Sequence, residues 1–393
     1  MLPLAGVTVV SLEQAVAAPF ASRHLADLGA RVIKVERTDG GDFARGYDKT
    51  VLGQSSHFIW LNAGKESIAL DLKTTAGLKI LNQLLARADV FIQNLSPGAI
   101  KRLKIDAKHL MHKFTKLIVA GIDGYGTGGP YSERKAYDLL VQAEAGVLAV
   151  TGTQEAPAKS GIPVADIAAG MYLYSGILAA LLQRQQTGRG EVVMVSMFDA
   201  LTEWMGYPLL YTKYSGKAPP RSGAAHAAIA PYGPFLSGEG ETIILAIQNQ
   251  REWEALCKTV LRDAAVARDP RFVDNSARVQ NRDQLEQLIN DSFSQSSTSD
   301  LIKALDDAGI AYAKMNSVDE VLGHEQLKAR SMWRPIVTPA GAVETLKPVL
   351  GEGKKRSVPA LGEHSAGILQ ELGYTEVEIN QFTESGAVYS ART

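Results

Sequence analysis

Short apolar runs alternate with stretches of helical spacing through the first half of the chain. VTVVSL (7–12) is β-rich; ASRHLADLGARVIKVE then carries a helix ending near Gly29 and a second strand at Arg31–Glu36. SIALDL (67–72) and DVFIQNL (89–95) read as strands on either side of TAGLKILNQLLARA (75–88), whose apolar positions have helical spacing. KHLMHKFTKLIVAGIDGYG adds a helix and a strand ending at about Ile122. Strand, helix and strand in steps of this length predict a parallel α/β sheet covered by helices on both faces.

PVADIAAGMYLYSG (163–176) places a lone acid, Asp166, ahead of an uncharged run that continues to Leu182. The run is short for crossing a membrane and long enough for a core helix, ending within 183–190. Glu191–Ser196 supplies a further strand leading into MFDALTEWM. The character then changes. Pro and Gly density marks 206–225 as linker and turns, ETIILAI is a strand, and 251–325 is polar and helix-rich. PVLGEGKKRSVP reads as a loop before a last helix. The expected division is a large α/β domain at 1–205, a linker at 206–225, a small domain at 226–325, and a return to the large domain over 326–393.

The whole-chain numbers narrow the function. At 393 residues the chain exceeds what one hydrophobic core usually serves. Lys plus Arg total 41 against 42 Asp plus Glu, which gives nucleic-acid binding no support. Cys257 is the single cysteine, so no intrachain disulfide forms and a reducing, cytoplasmic location is expected. The N-terminus has no basic segment before its apolar part and Glu13 falls early, so strand, turn and helix are expected there rather than a signal peptide.

Several chemistries lack their signatures. The first βα connection reads EQAVAAP where a dinucleotide site needs GxGxxG, and GKESIAL lacks the Ser or Thr that closes a P-loop. Neither GxSxG nor HExxH occurs, and the seven histidines form no metal-ligand spacing, so no metal is expected. Two basic clusters remain as anion-binding candidates: Lys34, Arg37 and Arg45, and Lys101, Arg102 and Lys104. Asp166 has two readings. It caps its helix and complements the dipole, or it is a partly shielded carboxylate nucleophile.

The sequence resembles the class III CoA-transferases, the family of formyl-CoA transferase and carnitine CoA-transferase. LAGVTVVSLEQAVAAPFASRHLADLGARVIKVE, FIQNLSPGAIKRL, GYGTGGPYSERKAYDLLVQAEAGVLAVTG, PVADIAAGMYLYSGILAALLQRQQTGRG and VVMVSMFDAL carry the resemblance in order, and HAAIAPYGPF extends it. It implies that Asp166 is the covalent nucleophile. Ala15, Val16 and Ala17 would line the CoA or acyl pocket, Arg37 would meet the adenosine-phosphate end of CoA, and Arg102 with Leu103 would help hold it. Lys135, Tyr137 and Asp138 would lie near the pantetheine arm or the mouth of the site. The implied fold is a large Rossmann-like domain with a mostly parallel sheet, made from both chain ends, plus a smaller inserted α+β domain. Two such chains would form an interlocked homodimer, with no membrane or nucleic-acid partner.

The implied reaction uses CoA thioesters as substrates and no prosthetic group. The related α-methylacyl-CoA racemases carry a GHDxxY-like motif where this chain has RKAYDLL, without the histidine that racemisation needs. The glycine-rich loop of formyl-CoA transferases is replaced by RSGAAHAAIAPYGPF. That segment is similar to the branch acting on short dicarboxylates such as succinate, itaconate, mesaconate, citramalate or hydroxymethylglutarate. Arg221 or His226 could hold the distal carboxylate, or could equally be a loop salt bridge and a packed histidine. Intramolecular transfer within a dicarboxylate, a formyl-CoA/oxalate-type transfer, an α-methylacyl-CoA racemase despite the missing histidine, and a non-catalytic CoA-binding protein stay open as alternatives.

Overall fold

The computed structural model describes residues 1–351 and 357–391, so residues 352–356 of the expected PVLGEGKKRSVP loop lie outside the described residues. The chain divides into two compact units. One comprises Met1–Ala145, Ser160–Met205 and Lys328–Thr393, the other Gly146–Lys159 and Gly206–Leu327. Gly146–Lys159, placed by sequence in the large domain, thus belongs to the second unit.

The first unit is built on a sheet of β1 (Thr8–Leu12), β2 (Arg31–Glu36), β3 (Lys65–Leu70), β4 (Val90–Gln93), β5 (Ile118–Asp123) and β6 (Val192–Ser196). Their spatial order is β3-β2-β1-β4-β5-β6, every pair parallel. The chain's last short strand, Val388–Tyr389, adds antiparallel to β3 with Val388 opposite Leu70. β1 and β4 are buried almost throughout, as near-continuous apolar runs in a doubly covered parallel sheet must be.

One core layer joins Val10, Ile33, Ile68 and Phe91 to Ile80, Leu81 and Leu84 of helix α2 (Thr75–Arg87). That helix starts where Thr74 Oγ1 accepts the Gly77 amide at 3.0 Å. Two further helices pack closely together, α1 (Ala17–Asp27) and the long α4 (Val164–Thr187). Between them in sequence lies α3 (Asp138–Glu144), and α5 (Met197–Trp204) follows α4. By length and composition α4 could cross a membrane. It buries Ala165, Ala168, Ala169, Leu173 and Ile177, and packs on α1, β5 and β6 as the expected core helix.

The order of the strands has a consequence for ligand binding. From β1 the chain proceeds to β2 and β3 on one side, then crosses to β4, β5 and β6 on the other. Connections on the two sides of β1 therefore diverge, leaving a crevice outside the C-terminal ends of β1 and β4, where open α/β sheets bind ligands.

In the second unit, β7 (Tyr232–Leu236), β8 (Thr242–Ala246) and β9 (Ala311–Lys314) form an antiparallel sheet over a core that includes Phe235, Trp253, Phe272 and Phe293. Pro and Gly density marks 206–225 as linker and turns, yet Gly206–Ser215 is helical, and the Pro- and Gly-containing Tyr232–Leu236 beyond it is a strand. The prolines tolerate both. Pro208 sits in the first helical turn, which needs no amide donor there, and Pro234 lies on the edge strand β7. A hairpin of β10 (Trp333–Thr338) and β11 (Gly341–Leu346) belongs to the first unit.

Helix α1 approaches α4 at Gly170, where an added Cβ would stand 2.7 Å from the Ala17 carbonyl oxygen and 3.1 Å from the Phe20 ring. Gly→Ala inside a helix ordinarily gains up to about 1 kcal/mol. Here the backbone neighbour cannot yield, so Gly170→Ala is expected to lose about 1–3 kcal/mol in urea unfolding. A gain in stability would show that this crossing is looser than the geometry indicates.

Candidate active site

β1 runs into a turn that is held from below by buried charge. The Glu13 carboxylate accepts from Lys65 Nζ at 2.6 Å and lies 3.5 Å from Lys34 Nζ, all three side chains being fully buried. Lys34 Nζ donates to Asp42 Oδ2 at 2.8 Å. The other Asp42 oxygen accepts the amides of Ala15 at 3.1 Å and Ala44 at 2.9 Å. Ala15 is thereby held at φ 61°, a left-handed conformation unusual for alanine. From the β4 side, Asn94 exchanges two 2.9 Å hydrogen bonds with the backbone of Gln14.

Burial pushes the Glu13 pKa up, but Lys65 and Lys34 outweigh it and leave it below its ordinary value. Burial likewise opposes the charge on Lys34, where Asp42, Glu13 and Glu36 prevail and raise its pKa. Lys65, buried with Lys34 nearby, is lowered to about 8. Lys34 is therefore no anion receptor. Arg45 is also engaged internally, bonding Glu36 at 2.9 and 2.8 Å and lying over the Phe58 ring. Of that expected basic cluster, Arg37 alone is exposed.

Above the turn opens a cleft of about 540 Å³ at the C-terminal ends of β1, β2 and β3 and beside helix Pro97–Leu103. Arg37, Arg102 and Leu103, far apart in sequence, all line it, together with Gln14 and Lys73, which sequence reasoning did not single out. Lys101 instead pairs with Glu133 at 3.5 Å.

Asp166 stands in the first turn of α4, and it does not cap that helix. The N-cap position is Pro163, without a side-chain acceptor, and Asp138 of α3 fills the role from elsewhere. Its Oδ1 accepts the amides of Ala165 at 2.8 Å and Asp166 at 3.3 Å. The Asp166 carboxylate accepts no hydrogen bond among the described residues. It is half-buried, and its pKa is pushed up to about 7, first by burial and then by the neighbouring Asp138 charge. Ile167 packs with Ala15, Val16, Phe20 and Leu61, bringing the start of α4 to the β1–α1 turn. Tyr47 is raised to about 12 by burial and then by Asp42, Asp166 and Tyr137, which gather around it.

A carboxylate that accepts no hydrogen bond among the described residues, at a helix start packed on the β1–α1 turn, is a group to which an acyl group could be transferred. The family match is decisive: the description of CoA-transferase family III fits residues 4–365. The chain belongs to CoA-transferase family III. It is 32% identical to succinyl-CoA:glutarate CoA-transferase of Mus musculus over 404 residues, covering all of this chain and 92% of that protein. It is 32% identical to acetyl-CoA:oxalate CoA-transferase of Acetobacter aceti over 383 residues, covering 96% and 97%. A crystal structure of a CAIB/BAIF family protein from Brucella suis superimposes with a TM-score of 0.82 at 34% identity, over 94% of this chain and 99% of that one. The protein is thus an enzyme of the CoA-transferase family.

Within this CoA-transferase the residues singled out by sequence are distributed unevenly. Val16 and Ala17 are buried at the start of α1 and do not line the cleft, while Ala15 is partly exposed at the turn. Lys135 and Tyr137 are exposed, and Asp138 faces α4. In the second unit Arg221 donates to the carbonyls of Thr153 at 2.8 Å and Gln154 at 2.9 Å. His226 stacks on Tyr232, and its Nδ1 accepts the Ala228 amide at 3.1 Å. His226 is thus packed as the structural alternative had it, whereas Arg221 is held by backbone carbonyls and not by a loop salt bridge among the described residues. Tyr47, Asp42 and Asn94 escaped sequence reasoning because their partners at the site, Asp166, Ala15 and Gln14, lie far from them along the chain.

The raised Asp166 pKa makes stability depend on pH. Below the ordinary aspartate range both folded and unfolded chains carry the proton, and burial costs nothing extra. As pH rises the unfolded chain ionises first, so stability is lost until pH passes about 7. The helix dipole offsets part of the loss. Asp166→Asn is expected to stabilise the protein by about 1 kcal/mol at pH 5 and about 3 kcal/mol at pH 8. Chemical denaturation across that range checks it; a gain independent of pH contradicts a desolvated carboxylate.

Proposed function

We propose that the enzyme moves CoA from succinyl-CoA to a short dicarboxylate through covalent intermediates on Asp166. The observation that carries this reading is the Asp166 carboxylate itself, which accepts no hydrogen bond among the described residues and stands at a helix start packed on the β1–α1 turn. A carboxylate stabilised by several donors would be a poor nucleophile; one raised to about 7 is reactive and still largely ionised in mildly basic solution.

Asp166 attacks the thioester carbonyl of the donor, forming a mixed anhydride and releasing CoA thiolate. The thiolate attacks the aspartyl carbonyl, expelling the donor carboxylate and leaving an aspartyl-CoA thioester. The acceptor carboxylate then attacks that thioester, again releasing thiolate and forming a second anhydride. Attack of the thiolate on the acceptor's acyl carbonyl restores Asp166 and yields the new CoA thioester. Every bond broken is matched by one formed, so no ATP or redox change is required.

Each tetrahedral centre needs donors for its oxyanion. Helix α1 begins without a side-chain cap, so its first amides, at Ala17 and Ala18, have no intrahelical acceptor and lie at the turn beside Asp166. Arg37, Arg102 and Lys73 give the cleft the positive charge that CoA phosphates require, with Leu103 beside them. Succinyl-CoA as donor and a dicarboxylate acceptor, glutarate included, are supported by the name of the mouse relative and by the RSGAAH segment. The equal identity to an oxalate enzyme makes oxalate the necessary control. The family's homodimer is proposed as well, supported by exposed Val192 and Met194 on the edge strand β6; sedimentation at the mass of a single chain would contradict it.

Incubation with succinyl-CoA followed by hydroxylamine should label Asp166, and Asp166→Ala should lower transfer by at least about 10³-fold. Alanine at both Arg37 and Arg102 should raise KM for the thioester by about 10–100-fold while leaving kcat nearly unchanged. Transfer should reach C4–C6 dicarboxylates. Exclusive transfer to oxalate or to monocarboxylates would refute the acceptor class.

A further inference from the structure

The brace at the start of α4 extends beyond Asp138. While Asp138 Oδ1 holds the amides of Ala165 and Asp166, its Oδ2 accepts from Gln142 Nε2 at 2.6 Å, one turn along α3. Gln142 is fully buried, and its Oε1 accepts the Ser160 amide at 3.0 Å. Ser160 begins the segment that leads to Pro163 and α4. The backbone on both sides of Pro163 is thus tied to one end of α3. Pro163 contributes no capping oxygen, so nothing on α4 itself does this job.

We propose that Asp138, braced by Gln142, is a positioning residue for Asp166: it fixes the first turn of α4 and confronts the nucleophile with a second negative charge. This rests on Asp166 being the nucleophile, and it assigns Asp138 a different task from contacting CoA. Two effects follow. Orientation is the first, since misplacing a reacting group by about 1 Å costs on the order of 10²-fold in rate. Charge is the second. Asp166 loses its negative charge on becoming an anhydride or thioester, so repulsion from Asp138 is felt by the free enzyme and relieved along the reaction.

The other ionisable groups on elements packed against α4 are engaged elsewhere. Glu144 of α3 pairs with Arg134, and Arg23 and His24 of α1 with Asp27. Glu203 of α5 accepts from the Tyr172 hydroxyl, and Asp123 of β5 feels Asp199. Asp138 and Tyr47 are the groups that interact with Asp166, and Tyr137 stands near Tyr47.

The test compares Asp138→Asn, Asp138→Ala and Gln142→Leu in the full-length enzyme with succinyl-CoA as donor, following kcat, KM and the pH–rate profile. Asn keeps an oxygen for the α4 amides and removes the charge. It should retain kcat within about 10-fold and move the acid limb about one pH unit lower. Ala removes oxygen and charge and should lower kcat by about 10–100-fold with KM for succinyl-CoA within about 3-fold. Gln142→Leu leaves the charge and loosens the brace, so kcat should fall with the acid limb unmoved. A raised KM with unchanged kcat in Asp138→Ala would overturn the proposal in favour of a CoA contact. Wild-type kcat and an unmoved limb in Asp138→Asn would overturn it even if the alanine variant fails to fold. Asp166→Ala is run alongside: if it stays active, the nucleophile assignment fails first, whereas an inactive Asp166→Ala with unaltered Asp138 variants sinks the positioning role alone.

Discussion

The pairing of Lys34 with Asp42 beneath the end of β1 is the constraint on which the active-site region depends. Two ions taken out of water cost several kcal/mol each unless they are fully paired, so neither can be removed or moved alone. Asp42 uses its remaining oxygen on the amides of Ala15 and Ala44, and the ion pair thereby fixes a backbone turn. Glu13 and Lys65 extend the cluster below it. A turn held only by solvent-exposed hydrogen bonds would fluctuate at the very point where β1 and β4 diverge. With buried charge underneath, it presents the same surface to every substrate.

On that platform two opposing demands meet at Asp166. Reactivity asks for a carboxylate stripped of donors, and ionisation asks for donors or positive charge. The fold places it in the first turn of α4, where the dipole favours the anion, and no donor among the described residues bonds its carboxylate. Asp138 takes over the capping that Asp166 would otherwise perform. The division between the two acids leaves Asp138 to hold the helix start and Asp166 without that structural task. Small residues serve the same end. Ala17 and Gly170 let α1 come close to α4, so that the uncapped start of α1 packs near the start of α4.

Much of the fold was legible along the chain because parallel strands buried on both faces leave apolar runs that need no partner to be recognised. VTVVSL, RVIKVE, DVFIQNL and the long α4 all appear close to their expected places. Segments whose shape depends on position in a sheet were not. YGPFL looks like a turn until Pro234 is seen on an edge strand, and the short Val388–Tyr389 strand has no pattern of its own. The basic residues divide in the same way. Lys34, Arg37 and Arg45 look alike in sequence, but only Arg37 is exposed at the cleft.

Sequence by itself determined the α/β class, the CoA-transferase family and the isolated acid before an apolar helix, since periodicity and ordered motifs are properties of the chain. Tertiary structure decided what surrounds that acid. Asp138 lies 28 residues before Asp166 and reaches it only because α3 packs at the start of α4. Arg37 and Arg102 share a cleft only because β1 lies between β2 and β4. Desolvation and Coulomb interaction depend on distance through space, and one-dimensional spacing does not encode that distance until the chain has folded.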